Sequence, residues 1–325
     1  MYKFSYLTRE PKRARPFHPL QTPIRKHPVT QSPQTALIAG CGYLGLRVAN
    51  VWQADGMAVT AITRTAVRAM EFERLGLKPL QLDLSHPPKH AALPAADVVL
   101  WAVGLDRSAG VARKQIWLDG LRWLIQNLSG APQRFLYVSS TSVYGQVDGE
   151  IVDEHTSTCP TTEGGQCCVE AETLARAEFA TRFPSTQVVV LRMTGIYGPD
   201  RLLRRVADLR QQTPLPGEPE HSLNLIHVDD AVRMVRYIAT AENTPDLINV
   251  VNSGTVTRRE YYERLAELVD APHPVFGNSE QSVGRQRGGN KRVVSRYDLS
   301  SPAEFRHDHV LDGLKDAVQR TTTES

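Results

Sequence analysis

Three glycines, Gly40, Gly42 and Gly45, stand in G-x-G-x-x-G spacing within AGCGYLGLRVA. A glycine at the first place permits a tight turn. At the second it lets the backbone approach a pyrophosphate, and at the third it lets a helix pack on a strand. The intervening Cys41, Tyr43 and Leu44 would then open a helix whose unpaired N–H groups and partial positive charge suit an anion. A second set, Thr63, Arg64 and Thr65, lies where no acid occurs between Asp55 and Glu71. An acid there would accept hydrogen bonds from a ribose 2′-hydroxyl, whereas a guanidinium flanked by hydroxyls suits a 2′-phosphate. The chain is therefore read as binding a dinucleotide, with NADP favoured and NAD kept open. A third set, Ser139, Ser140, Thr141 and Tyr144 in VSSTSVYG, gathers hydroxyls at the end of an apolar run.

The elements that must position these residues follow from the pattern. Apolar runs TALIAG, MAVTAIT, LKPLQLD, ADVVLWAV, RFLYVSST and QVVVLRM alternate with helically spaced stretches at 46–55, 66–75, 111–128 and 167–182. Short runs that are apolar throughout read as strands buried on both faces, and strict alternation with helices implies right-handed crossovers. The expected fold is α/β, a Rossmann-type doubly wound parallel sheet with a smaller C-terminal substrate lobe. Asp83 and Leu84 follow the third strand, where an adenine edge would lie, and Ala102 and Val103 end the fourth. The expected organisation is a tail at 1–34, a dinucleotide-binding domain at 35–198 to which 224–253 returns, and a smaller lobe from 199–223 and 254–325. The stretch at 277–292 is expected to be a mobile loop.

A chain of 325 residues, 41% hydrophobic, can bury a large core. The formal charge of +3 is uneven, because residues 1–34 carry seven Lys or Arg against one Glu, with six prolines. That tail reads as disordered, and the remaining body is slightly acidic, which argues against a nucleic-acid surface. No run approaches the length of a membrane span and no secretory signal is visible, so a cytoplasmic location is expected. His155, Cys159, Cys167 and Cys168 match no zinc spacing, and no metal is expected.

Taken in order, AGCGYLG, ADVVLWAVG, FLYVSSTSVYG, LRMTGIYGP, NLIHVDDAV and INVVNSG resemble the extended and atypical short-chain dehydrogenase/reductases, which include the NAD-dependent epimerase/dehydratases. The resemblance runs from Thr35 to Val318. It implies hydride chemistry on a hydroxyl-bearing small molecule such as a nucleotide sugar, contacts from Ser139 to the cofactor, a catalytic hydroxyl at Ser140, and a homodimer. It also implies a Tyr and a Lys one helical turn apart in the helix after that serine. Aligned on Ala171 and Glu172, those places hold Gly164 and Cys168, and no Tyr lies between Tyr144 and Tyr197 and no Lys between Lys114 and Lys291.

The missing pair leaves three readings. Ser140, with weaker help from Thr141 and Tyr144 and a cation such as Arg192, carries the proton; Tyr197 and His227 are further candidates, and both also fit structural roles. Alternatively the chain binds the dinucleotide without chemistry, as a redox sensor or scaffold. In the third reading, Cys167 or Cys168 near the helix start is a reactive thiol, against a plain apolar stripe of Cys168, Ala171, Ala175 and Phe179. Arg201, Arg204 and Arg205 either meet substrate phosphates or form a solvated face.

Overall fold

The computed structural model describes residues 32–89, 91–105, 110–277, 289–298, 300–307 and 309–323. The tail up to residue 31 and most of the loop expected at 277–292 lie outside the described residues. The strands are β1 (Thr35–Ala39), β2 (Ala58–Thr63), β3 (Lys78–Gln81), β4 (Val98–Trp101), β5 (Arg134–Ser140), β6 (Ile151–Val152), β7 (Gln187–Met193), β8 (Gly195–Tyr197), β9 (Ser222–Leu223), β10 (Leu225–His227), β11 (Leu247–Val250), β12 (Val256–Thr257) and β13 (Arg292–Val293). Seven of them form one parallel sheet in the order β3-β2-β1-β4-β5-β7-β11. The order reverses between β1 and β4, where Ile38 lies opposite Leu100. Open sheets of this kind take ligands in the crevice at such a switch point, beyond the carboxyl ends of the strands.

The described residues contain eight α-helices: α1 (Tyr43–Ala54), α2 (Ala66–Arg74), α3 (Leu121–Asn127), α4 (Glu163–Arg182), α5 (Leu203–Arg210), α6 (Val228–Thr240), α7 (Arg258–Leu268) and α8 (Val310–Thr323). Leu44, Val48, Ala49 and Trp52 of α1 and Val228, Ala231, Val235 and Ile238 of α6 pack on one face. Leu121, Leu124 and Ile125 of α3 and Ala171, Ala175 and Phe179 of α4 pack on the other. Each fully buried Leu or Phe contributes about 2 kcal/mol by leaving water. A separate apolar cluster joins Leu209 of α5, Tyr261 and Leu265 of α7, and Leu314 and Ala317 of α8.

The helix expected over 111–128 is irregular. It opens with a π-helical turn, Gln115–Gly120, before α3. Gly120 explains the close packing there, since a Cβ would lie 2.5 Å from the Leu84 carbonyl oxygen. The helix expected from 167 begins earlier, at Glu163, because Thr162 caps it by accepting from the Gly165 N–H at 3.1 Å. It ends at Arg182, just before Phe183 and Pro184.

Candidate functional site

At the switch point the three glycines do distinct work. Gly40 turns with φ +91°, and a Cβ there would stand 2.4 Å from the Ala102 backbone, so β1 and β4 can meet only over a glycine. Gly45 lies in the first turn of α1, where a Cβ would come within 2.3 Å of the Gly40 oxygen. Gly42, by contrast, has nothing within 4 Å of its Cβ position. It begins α1 with no side-chain cap and no acid in the first turn, leaving the amino-terminal N–H groups to an incoming anion. Ala102 donates its N–H to Ala39 and, with Val103, forms the wall over Gly40. Leu44 is buried. Burial pushes the Cys41 thiol up to about 12, so Cys41 offers the site only its backbone.

Tyr43 ties this loop to the opposite side of the crevice. Its hydroxyl donates to the Pro199 carbonyl at 2.7 Å, and the Arg47 and Arg201 guanidiniums lie 4.1 and 4.8 Å from its ring centroid. Arg201 therefore stands beside the glycine loop, whereas Arg205 is spent on Asp208 at 3.0 Å and Arg204 is exposed.

At the end of β2, Thr63 is half-buried, and Arg64 and Thr65 are exposed. Thr65 caps α2, its hydroxyl accepting from the Arg68 N–H at 3.3 Å. The sequence reading missed Arg68. Its Nη2 donates to the Cys41 carbonyl at 3.2 Å and its Nη1 pairs with Glu71 at 2.6 Å, placing a second guanidinium between β2 and the glycine loop. The i, i+3 spacing from the cap was the available signal. On Asp83, burial raises the carboxyl, but donation from the Ser85 hydroxyl and N–H outweighs it and holds the group below the usual range. Leu84 is buried, and its carbonyl meets Gly120.

The hydroxyl set divides. Ser140, partly exposed at the end of β5, accepts at Oγ from the Ser142 N–H at 3.1 Å. Among the described residues its own O–H has no acceptor, so its proton is left for an incoming group. Thr141 is buried and donates weakly to the Met193 carbonyl at 3.4 Å. Ser139 and Tyr144 depart from their expected roles. The Ser139 hydroxyl donates to Glu172 at 2.6 Å, and the Tyr144 hydroxyl donates to Asn249 at 2.9 Å while accepting from Arg192 at 2.9 Å. Arg192 grips Glu172 through two bonds of 3.0 and 2.7 Å, with both side chains buried. Arg192 is therefore not a spare cation, and burial raises the Tyr144 phenol despite the Arg192 charge beside it. This network is sealed because each apolar wall it crosses demands that every polar group be paired.

The start of α4 sits against Ser140's own turn. A Cβ on Gly165 would lie 2.3 Å from the Ser142 oxygen, and one on Gly145 would lie 1.9 Å from the Cys159 oxygen. Over Gly164, where the resemblance places a tyrosine, stands Arg113, with Nη1 2.9 Å from the Cβ position. Cys168, at the lysine place, is buried beside Val143 and Tyr144. Its thiol is pushed up to about 11 by burial, and that of Cys167 is raised by burial too. The reactive-thiol reading therefore fails, since the thiolate is the nucleophile and both environments suppress it.

His227 is not a base either. It is fully buried, and its Nδ1 accepts from the Asp229 N–H at 3.2 Å as it caps α6. Burial, then His307, pulls its pKa down to about 4. His227, Asp229, His307 and Asp316 bring ligand-type atoms within 4.8 Å of one another. The donor set does not fit a cation. Arg320 already holds Asp229 and Asp316 at 2.5 and 3.1 Å, so a guanidinium charge stands on the carboxylates that a cation would need. The cluster instead joins α6 to α8. Tyr197 is also structural, buried with its hydroxyl on the Val310 carbonyl at 2.9 Å. A cavity of about 240 Å³ beyond β11 is lined by Asn224, Asn249, Asn252 and Asp298. Its asparagines are engaged in holding the chain at 291–294 and 307, and no residue of the glycine loop or Ser140 turn lines it. No helix among the described residues is long and apolar enough to cross a membrane.

The chain is similar to known proteins. Protein YeeZ of Escherichia coli (strain K12) is 28% identical over 278 residues, 84% of this chain and 95% of that protein. The structure of MoeE5 in complex with UDP-glucose and NAD is similar with a TM-score of 0.73 at 20% identity, covering 90% of this chain and 99% of that one. A UDP-N-acetylglucosamine 4-epimerase from Methanobrevibacter ruminantium M1, in complex with UDP-N-acetylmuramic acid, gives a TM-score of 0.71 at 16% identity, covering 91% and 100%. These two likenesses establish the fold. A model of the NAD dependent epimerase/dehydratase family matches residues 36–251, from β1 through β11, and the chain belongs to that family.

Proposed function

We propose that this chain holds NADP(H) in preference to NAD(H) across the switch point and acts on a hydroxyl- or carbonyl-bearing small molecule of the nucleotide-sugar kind. The observation that carries the reading is the contrast among the glycines: Gly40 and Gly45 are filled by backbone, and Gly42 opens on empty space at an uncapped helix start. Gly40, Cys41, Gly42, Tyr43, Leu44 and Gly45 would cradle the pyrophosphate, with Ala102 and Val103 as the facing wall. Arg64 and Arg68, with Thr63 and Thr65, would meet a 2′-phosphate, and Asp83 and Leu84 would border the adenine. A nicotinamide held there supplies a hydride donor or acceptor. Ser140 then contributes its free O–H to the oxygen of the bound molecule, and the residues at 199–223 and 254–325 form the lobe that covers it. MoeE5 carries UDP-glucose and NAD, which supports the substrate class. Self-association as a homodimer belongs to the same reading.

The test incubates a panel of nucleotide sugars with a mixture of NADP+, which oxidises the sugar carbon, and NADPH deuterated at the transferring carbon, which returns deuteride to the resulting carbonyl, followed by mass spectrometry. Label appearing in the sugar, and falling by about 10²-fold in Ser140→Ala, is the expected outcome. NADPH binding without any exchange would instead favour a dinucleotide-binding module that does no chemistry.

A further inference from the structure

Arg113 lies over the first turn of α4, and three observations bear on it together. Its Nη1 stands 2.9 Å from the Cβ position of Gly164, so it fills space that any side chain at 164 would claim. Its side chain is only 20% exposed, yet its nearest carboxylate, Glu163, is 3.6 Å away and itself largely exposed. Its Nε is enclosed and has no hydrogen-bond partner among the described residues, and the guanidinium rests 5.3 Å from the centroid of the Trp117 ring. By contrast, the buried Arg192 satisfies its donors with Glu172 and Tyr144. An enclosed guanidinium with unsatisfied donors normally has a partner that completes it. Contacts link it to the proton site: Gly165, next to Gly164, abuts Ser142, whose N–H donates to Ser140.

We propose that Arg113 is a specificity-determining residue that receives a carboxylate of the substrate beside Ser140. A guanidinium stays protonated at any working pH, so it cannot replace a tyrosine as a proton acceptor. It can bind an anion. A single guanidinium already facing Glu163 suits a monoanionic carboxylate that displaces that long contact, whereas a phosphate dianion would meet Glu163 with a second charge of the same sign. The proposal rests on the reading that Ser140 faces the substrate, and it narrows the substrate class to one bearing a carboxylate near the reacting oxygen.

The test uses lactate, which pairs a hydroxyl with a carboxylate, against uncharged lactamide and inorganic phosphate, at constant ionic strength. Tryptophan fluorescence is the readout, because Trp117 lies under Arg113. Titrations are run with and without saturating NADPH, and NADPH affinity is measured on the same samples, so loss of cofactor binding leaves the carboxylate result readable. Lactate should give a saturable change and lactamide none. Arg113→Gln should weaken lactate about tenfold or more, and Arg113→Lys should fall between. Lys114→Gln, which removes a neighbouring charge paired with Glu170 at 3.2 Å, should leave lactate binding unchanged. Thermal unfolding checks that each variant is folded. No saturable change with lactate, or equal lactate affinity in folded Arg113→Gln, would overturn the proposal. Tighter binding of phosphate than of lactate would overturn the carboxylate assignment.

Discussion

The glycine loop and the start of α4 are built by opposite means. In the loop the backbone decides: Gly40 and Gly45 are forced by approaches of 2.4 and 2.3 Å, and Gly42 leaves open space. At α4, function rests on side chains, and those come from far along the chain. Arg113 covers Gly164, and Glu172 is joined to Ser139, Arg192 and, through Tyr144, to Asn249. A backbone cradle tolerates little change. A side-chain site can lose its usual groups while the framework beneath it persists.

If that division holds, damage to the two regions should separate. Arg192→Leu leaves Glu172 buried without its partner and should cost about 3–5 kcal/mol in chemical denaturation, since removing one member of a buried ion pair strands the other charge. The surviving folded fraction should still bind NADPH. Gly40→Ala should cost a comparable amount, about 2–6 kcal/mol from left-handed strain together with the clash against the Ala102 backbone, and should abolish NADPH binding in whatever fraction stays folded. Were Arg192→Leu the variant that lost the cofactor, and Gly40→Ala the one that kept it, the two regions would not be distinct.

His227 extends the comparison to a third region that is purely structural. Its folded pKa, near 4, lies below the ordinary 6.5, so the unfolded chain takes up a proton between those values that the fold refuses. Stability should therefore fall as the pH drops from about 6.5 to about 4. His227→Gln should flatten that slope without altering NADPH affinity at neutral pH. An unchanged slope would remove His227 from this role. The smallest effect concerns Arg68, where Arg68→Gln should weaken NADPH by about tenfold and leave NADH nearly unchanged. Equal losses for both would make Arg68 a fold contact only.

The sequence disclosed what depends on local pattern. Strand runs such as TALIAG and RFLYVSST fall on β1 and β5, and the glycine spacing encodes backbone conformations that are local by nature. Ser140 stands at the end of β5, where the run RFLYVSST puts it. Pairing between distant residues was not legible: nothing near Arg192 announces Glu172 on another element, and nothing near Gly164 announces Arg113. Ser139 and Tyr144 looked like site hydroxyls because they neighbour Ser140, but successive residues of a strand face opposite ways, and Ser139 points into the buried network. The early start of α4 was missed because two glycines, poor helix formers, occupy its first turn, where the Thr162 cap and the close approach to Ser142 decide the outcome.

The loop at Gly40–Gly45 is expected to hold a nicotinamide dinucleotide although Gly164 and Cys168 stand where the resemblance places a tyrosine and a lysine. Calorimetric titration of the purified protein with NADPH and with NADH tests it directly. One site per chain is expected, with NADPH bound about tenfold more tightly through Arg64 and Arg68. Failure of the folded protein to bind either dinucleotide would contradict the account.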